Sequence, residues 1–276
     1  MEPTTAPVIS WTPARVEVDG EQLYYEVSAA EGLGPDAPTV VLGHGAGGSH
    51  AVWYQQVPVL ARTRRVITWD TRGFGGSTFR TGRLDPATAA ADLLAVLEAA
   101  GARAPVHLVG QSMGGWWLTA FVEKHPDHVA SLTYTGTAGG LHTPALDSYF
   151  LQRPDGVGRS TAVVGGHFAV SRRFVERDAP QSFLYQQLNT LHDPPLAMVA
   201  GIVSARTDPA TVRAAGIPTL VIAGTEDELF PAELLRTVAD ALGARFLVLE
   251  GAGHSAYFEV PEAWNAAYTD FLDALA

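Results

Sequence analysis

The pattern that most restricts this chain is an alternation of short apolar runs with helical stretches. Thr39–Leu42, Arg65–Trp69, Val106–Val109, Val129–Tyr134, Pro218–Ala223 and Arg245–Leu249 are apolar on both faces, as strands covered by helices must be. Between them the sequence predicts helices over residues 50–61, Pro86–Ala100, Met113–His125 and Ala232–Ala241, with a last amphipathic helix over Ala263–Leu275. Pro86 near the start and Gly101 past the end bracket the second of these. Arg15–Val18 and Gln22–Val27 flank Asp19-Gly20, the signature of a β-hairpin. Strand and helix in alternation imply right-handed crossovers and a mainly parallel sheet, an α/β fold.

The alternation fails once, over residues 138–212. That stretch carries Gly139-Gly140, Pro144, Pro154, Gly156, Gly165-Gly166 and Pro194-Pro195, with helical pieces at Phe168–Arg177 and Gln181–Leu191 and no convincing strand. A structureless loop of such length is improbable in a compact domain. The expectation is an α/β core from residues 1–137 and 213–276, with 138–212 inserted as a small helical cap over one end of the sheet.

Composition removes several classes of function. The 276 residues include no cysteine, which excludes disulfides, thiolate metal sites and a cysteine nucleophile. The net charge of −11 opposes a nucleic-acid partner. No basic segment followed by an apolar run opens the sequence, and no run approaches ~18 apolar residues, so neither a signal peptide nor a membrane span is expected. A cytoplasmic location follows as the default. Lys124 is the sole lysine beside many arginines, which suits a GC-rich bacterial genome. The spacing leaves the oligomeric state open.

Gly110-Gln111-Ser112-Met113-Gly114 lies between strand Val106–Val109 and a helix, the context that a G-x-S-x-G nucleophile elbow requires. A sharp turn there strains the serine backbone, lifts its hydroxyl clear of the sheet and aims helical N–H groups at the developing negative charge. Serine needs a base to remove its proton. Strand Pro218–Ala223 runs into Gly224-Thr225-Glu226-Asp227, and strand Arg245–Leu249 into Gly251-Ala252-Gly253-His254. Both candidates stand just past strand C-termini, where open α/β sheets hold their ligands. Asp227 would orient His254 so that Nε2 faces Ser112; Glu226 is the rival acid. The second oxyanion donor is expected from His44-Gly45-Ala46-Gly47-Gly48, with the N–H groups of Ala46 and Met113 the preferred pair and Gly47 the alternative. His44 itself is expected to brace that loop.

Trp116 and Trp117 follow the elbow on one helix; one is expected in the core and the other at the cleft. Phe230 and Tyr257 lie close in sequence to Asp227 and His254, and Tyr149 belongs to the insertion. Trp116, Tyr149, Phe230 and Tyr257 are the candidate pocket residues. Arg172-Arg173 fits a solvated charged face better than a carboxylate site. No metal site and no cofactor are expected.

Four separated motifs in this order resemble the α/β-hydrolase superfamily, in the branch with a helical cap: His44–Gly48, Asp70-Thr71-Arg72-Gly73-Phe74-Gly75-Gly76-Ser77, Gly110–Gly115, and Gly253-His254 followed by Glu259 and Pro261. The resemblance covers essentially the whole chain. It implies an eight-stranded sheet, an insertion acting as a lid, and a structural role for Asp70–Ser77 near the site. Ser112 at the elbow separates the chain from haloalkane dehalogenases and epoxide hydrolases, which carry aspartate there. Ser255 stands where meta-cleavage-product hydrolases usually carry tryptophan. The expected activity is cleavage of an ester, lactone or thioester of a medium-sized apolar small molecule. The alternatives are a C–C bond hydrolase, a cofactor-free lyase or cyclase, and a small-molecule receptor, since one fold hosts many chemistries.

Overall fold

The computed structural model describes residues 7–34, 36–152, 163–191, 202 and 204–275. Eight strands form one sheet: β1 (Ile9–Val18), β2 (Glu21–Ala30), β3 (Thr39–Gly43), β4 (Arg65–Trp69), β5 (Val106–Gln111), β6 (Val129–Thr135), β7 (Thr219–Gly224) and β8 (Arg245–Leu249). Their spatial order is β1-β2-β4-β3-β5-β6-β7-β8. The hairpin β1–β2 adds antiparallel to β4, and all pairs from β4 to β8 are parallel. The predicted α/β architecture is thus observed. The order reverses at β3, so the loops after β3 and β5 emerge side by side, the usual setting of a ligand site in an open sheet.

The described helices are α1 (Val57–Leu60), α2 (Pro86–Ala99), α3 (Gly114–Lys124), α4 (Pro144–Leu151), α5 (Arg172–Arg177), α6 (Ala179–Leu188), α7 (Pro209–Ala214), α8 (Ala232–Leu242), α9 (Ala256–Glu259) and α10 (Pro261–Asp273). The helix expected over 50–61 is split: a 3-10 turn spans His50–Trp53, and Pro58 sits near the start of the short α1. In the insertion, the piece expected at Phe168–Arg177 begins only at Arg172, because Ser171 caps it by accepting a hydrogen bond from the Phe174 N–H at 3.1 Å. Asp85 caps α2 in the same way, accepting from Thr88 N–H at 2.8 Å ahead of Pro86.

Residues alternate along each strand between two apolar layers. Val41, Ile67, Leu108 and Val221 face one core with Leu93, Phe121 and Leu235; Val40, Leu42, Val66, Val109 and Ile222 face the other with Trp53, Trp264 and Tyr268. Burying both faces explains why the strands read as continuous apolar runs. Arg72, just beyond β4, is 1% exposed and forms a bidentate pair with Asp92 of α2, both contacts at 2.6 Å. The chain leaves the sheet after Thr135 and returns at Thr219; the insertion adds no strand to the sheet among the described residues.

Candidate active site

Ser112 follows β5 directly and has φ = +49°, a left-handed conformation that a side chain strains. Its N–H donates to the carbonyl oxygen of Thr135 on β6 at 3.2 Å, and its own carbonyl accepts from Gly115 N–H at 2.9 Å. The turn is that tight because neighbouring backbones touch: a Cβ on Gly114 would fall 2.9 Å from the carbonyl oxygens of Gly43 and His44. Ser112 remains half-buried at the sheet's C-terminal edge.

Asp227 follows β7 and His254 follows β8. His254 Nδ1 lies 3.1 Å from Asp227 Oδ2, and the two residues are 3% and 4% exposed. An ionised carboxylate only accepts, so Nδ1 carries the proton and Nε2 keeps its lone pair. Asp227 Oδ1 accepts from Leu229 N–H at 2.8 Å and from Phe230 N–H at 2.9 Å, which fixes the carboxylate plane. Glu226, the rival acid, turns away and pairs with Arg173 at 3.1 Å. Gly136 brings His254 to the elbow: a Cβ there would lie 2.5 Å from the His254 carbonyl oxygen and 3.4 Å from its Nδ1, while the preceding Thr135 holds Ser112. Ser112, Asp227 and His254 therefore gather at one edge of the sheet from 142 residues of sequence.

The loop after β3 meets the same point. A Cβ on Gly45 would lie 2.9 Å from Ser112 Cβ. Among the described residues, the N–H groups of Ala46 and Met113 donate to no protein acceptor. His44 is fully buried; its Nδ1 donates to the Gly45 carbonyl at 2.8 Å and its Nε2 accepts from Thr71 N–H at 3.1 Å. It ties this loop to Asp70–Ser77, whose Asp70 accepts from the N–H groups of His50 and Gly76.

Trp117 packs in the core, edge-on to Trp69 with ring centroids 5.1 Å apart. Trp116 turns toward Phe230, centroids 6.5 Å apart, and Phe230 stacks beside His254. The Tyr149 hydroxyl donates to the carbonyls of Glu228 and Leu229, a shared bond at 3.2 Å that anchors α4 on the acid loop. Tyr257 departs from expectation: it is 1% exposed and packs on Trp53 at 4.3 Å, inside the core rather than at a pocket wall. The physical reason is that α9 turns its first residues inward beneath the histidine loop. Arg172 pairs with Glu176 on the exposed face of α5.

Several residues around the site carry no spacing signal. The Tyr185 hydroxyl lies 2.6 Å from Ser255 Oγ, next to His254, and two residues, Ser171 of the insertion and Gly253 of the core, send three hydrogen bonds to Glu259. A Cβ on Gly47 would come within 3.3 Å of Asn189 Oδ1, so α6 spans from the histidine loop to the loop after β3. His167 stacks on Phe168 and meets Tyr185 edge-on; burial above all, with the neighbouring His254 imidazole adding to it, pushes its imidazole down to about 4. These contacts join segments distant in sequence, so only the folded chain reveals them.

Comparison with known proteins gives a consistent set. A family profile described as the alpha/beta hydrolase fold matches residues 38–162, and one described as TAP-like protein matches residues 199–275. The chain is similar to 2-hydroxymuconate semialdehyde hydrolase of Pseudomonas sp. (strain CF600), 30% identical over 251 residues, spanning 83% of this chain and 84% of that protein. Among solved structures it resembles a thermophilic esterase from Thermogutta terrifontis, with a TM-score of 0.76 and 25% identity over 96% of this chain and 99% of that one. The enol-lactonase of Burkholderia xenovorans LB400 shares the fold at a TM-score of 0.78, 24% identical over 94% of this chain and 100% of that one.

Proposed function

This chain belongs to the α/β-hydrolase family, and from that premise we propose that it is a serine hydrolase of medium-sized apolar esters, lactones or thioesters. The observation that carries this reading is the buried contact of His254 Nδ1 with Asp227 Oδ2 at 3.1 Å, set beside a serine in a strained left-handed turn.

His254 Nε2 takes the Ser112 hydroxyl proton as Oγ attacks the substrate carbonyl carbon, and the carbonyl π pair moves onto oxygen. The N–H groups of Ala46 and Met113 stabilise that oxyanion. Collapse expels the alcohol or thiol, which leaves with the proton from Nε2 and an acyl group on Ser112. Water then attacks the acyl carbon with His254 as base, releasing the acid and restoring the serine. Asp227 holds the ring in the tautomer this cycle needs. The described helices α4–α7 act as a cap, with Trp116, Phe230 and Tyr149 giving the site an apolar wall.

Esters of p-nitrophenol from acetate to decanoate, assayed with wild type and Ser112→Ala, test the proposal. Turnover in the wild type, lost in the variant and best at an intermediate chain length, is the expected result. Turnover that survives in Ser112→Ala would remove the assignment.

A second reading, C–C bond hydrolysis, draws on the relative from Pseudomonas. Ser255 weighs against it, since that residue is fully buried and bonded to Tyr185 rather than offered to a substrate. Inclusion of 2-hydroxymuconate semialdehyde in the same assay separates the two.

A further inference from the structure

Glu259 stands five residues past His254, is 2% exposed, and gathers three donors on one oxygen. Its Oε2 accepts from Gly253 N–H at 3.0 Å, from Ser171 N–H at 3.1 Å and from Ser171 Oγ at 2.6 Å. Its Oε1 finds no hydrogen-bond partner among the described residues and presses on the same backbone: a Cβ on Gly253 would lie 2.8 Å from Oε1 and 2.7 Å from Ser171 N. Only glycine fits there, because the carboxylate lies flat against the chain. On the other side of His254, Ser255 N–H donates to the Ala169 carbonyl at 3.0 Å, and Ser255 Oγ pairs with Tyr185. The backbone is thus pinned immediately before and after the histidine, in both cases by the insertion or through it.

A buried carboxylate without a counter-charge is costly. The groups facing Glu259 are Asp227 from the neighbouring loop, Tyr257 on its own turn, and Tyr185 and Arg177 from the insertion; the Arg177 guanidinium binds the Glu259 carbonyl rather than its carboxylate. Burial pushes the Glu259 carboxyl up, the Ser171 and Gly253 donors oppose this, the Asp227 charge adds to the rise, and the outcome is a raised value. A glutamine could have accepted the same hydrogen bonds without such a cost.

We infer that Glu259 is a positioning residue for His254: by holding the Gly253 N–H, it fixes the backbone from which the imidazole projects toward Asp227. This inference rests on the triad reading above. Misplacing a catalytic group by about 1 Å can cost about 100-fold in rate, so a hydrogen bond one residue from the base has leverage on turnover.

Two substitutions separate reach from charge. Glu259→Gln keeps an acceptor oxygen at the same distance and loses the charge. Glu259→Asp keeps the charge and withdraws the carboxylate by one methylene. Turnover per titrated active site should stay within about threefold of wild type in Glu259→Gln and fall about tenfold or more in Glu259→Asp, with KM changed by less than about twofold in both. Ser171→Ala, which removes the shortest of the three bonds, lowers turnover by a few-fold and serves as the second probe if the aspartate variant does not fold. The low-field proton resonance of the His254 Nδ1–H, read in the resting protein, weakens in Glu259→Asp and persists in Glu259→Gln. Wild-type turnover and resonance in Glu259→Asp, or the aspartate variant outperforming the glutamine one, would overturn the inference. Because the resonance needs no substrate, failure of the serine assignment, seen as turnover in Ser112→Ala, is read separately.

Discussion

The Phe230 ring lies alongside the His254 imidazole, centroids 5.8 Å apart and planes within 16° of parallel, while the Phe230 N–H donates to Asp227 Oδ1 at 2.9 Å. One residue thus holds Asp227 with its backbone and covers His254 with its side chain. Phe230→Ala keeps the N–H and removes the ring. A loss of about tenfold in kcat/KM is expected, about 1.4 kcal/mol of transition-state stabilisation, with partial recovery in Phe230→Leu. Steady-state kinetics on the preferred ester measure it, and wild-type kinetics in both variants would show that the stack is idle.

Asp227→Asn substitutes a donor for the acceptor that His254 Nδ1–H needs, with little change in shape. The ring then favours the tautomer with its proton on Nε2, which is unable to take one from Ser112. Turnover should drop by about 10³–10⁴-fold while the melting temperature changes little. A loss under tenfold would mean that another acid orients the base.

Ser112 stores strain, so removing its side chain should trade activity for stability. Ser112→Gly relieves the φ = +49° conformation and should raise unfolding stability by about 1 kcal/mol, whereas Ser112→Ala keeps the strain and gains nothing comparable. Paired denaturation curves give the difference directly; equal stability of the two would place the strain elsewhere.

His50 sits between two carboxylates, with Nδ1 2.8 Å from Asp70 Oδ2 and Nε2 3.3 Å from Glu26 Oε1. Burial pulls its imidazole down, but the Asp70 and Glu26 partners outweigh this and raise it above the ordinary 6.5. A raised folded value means that the imidazolium stabilises the fold fully below 6.5, and that this contribution is lost as pH rises through the folded value. Urea midpoints should therefore fall as pH rises above 6.5, and His50→Gln should flatten that slope. A wild-type slope unchanged in the variant would assign the dependence to another group.

The buried Arg72–Asp92 pair should tolerate removal of both partners better than removal of one. Asp92→Ala leaves the buried guanidinium without its bidentate partner, only the exposed Asp19 remaining 3.8 Å away, and should cost about 3 kcal/mol. Arg72→Met with Asp92→Leu should cost less than that single change. Chemical denaturation of the two variants settles the order.

The sequence by itself determined the α/β class, because strands buried on both faces must be apolar throughout while helices between them must be amphipathic. It also singled out Ser112, Asp227 and His254 as candidates, since each stands in a short glycine-bearing turn past an apolar strand. Local chemistry carried those signals. The sequence favours Asp227 over Glu226, one step further past β7, and the tertiary structure adds the partners, turning Glu226 to Arg173 and Asp227 to His254. The burial of Tyr257 in the core belonged to the tertiary structure, because neighbouring residues on a helix point to different partners that spacing does not name. The grip of Glu259 on Gly253 and Ser171 was beyond sequence reasoning for the same reason: Ser171 and Glu259 are 88 residues apart, and a hydrogen bond at that separation exists only once the chain has folded.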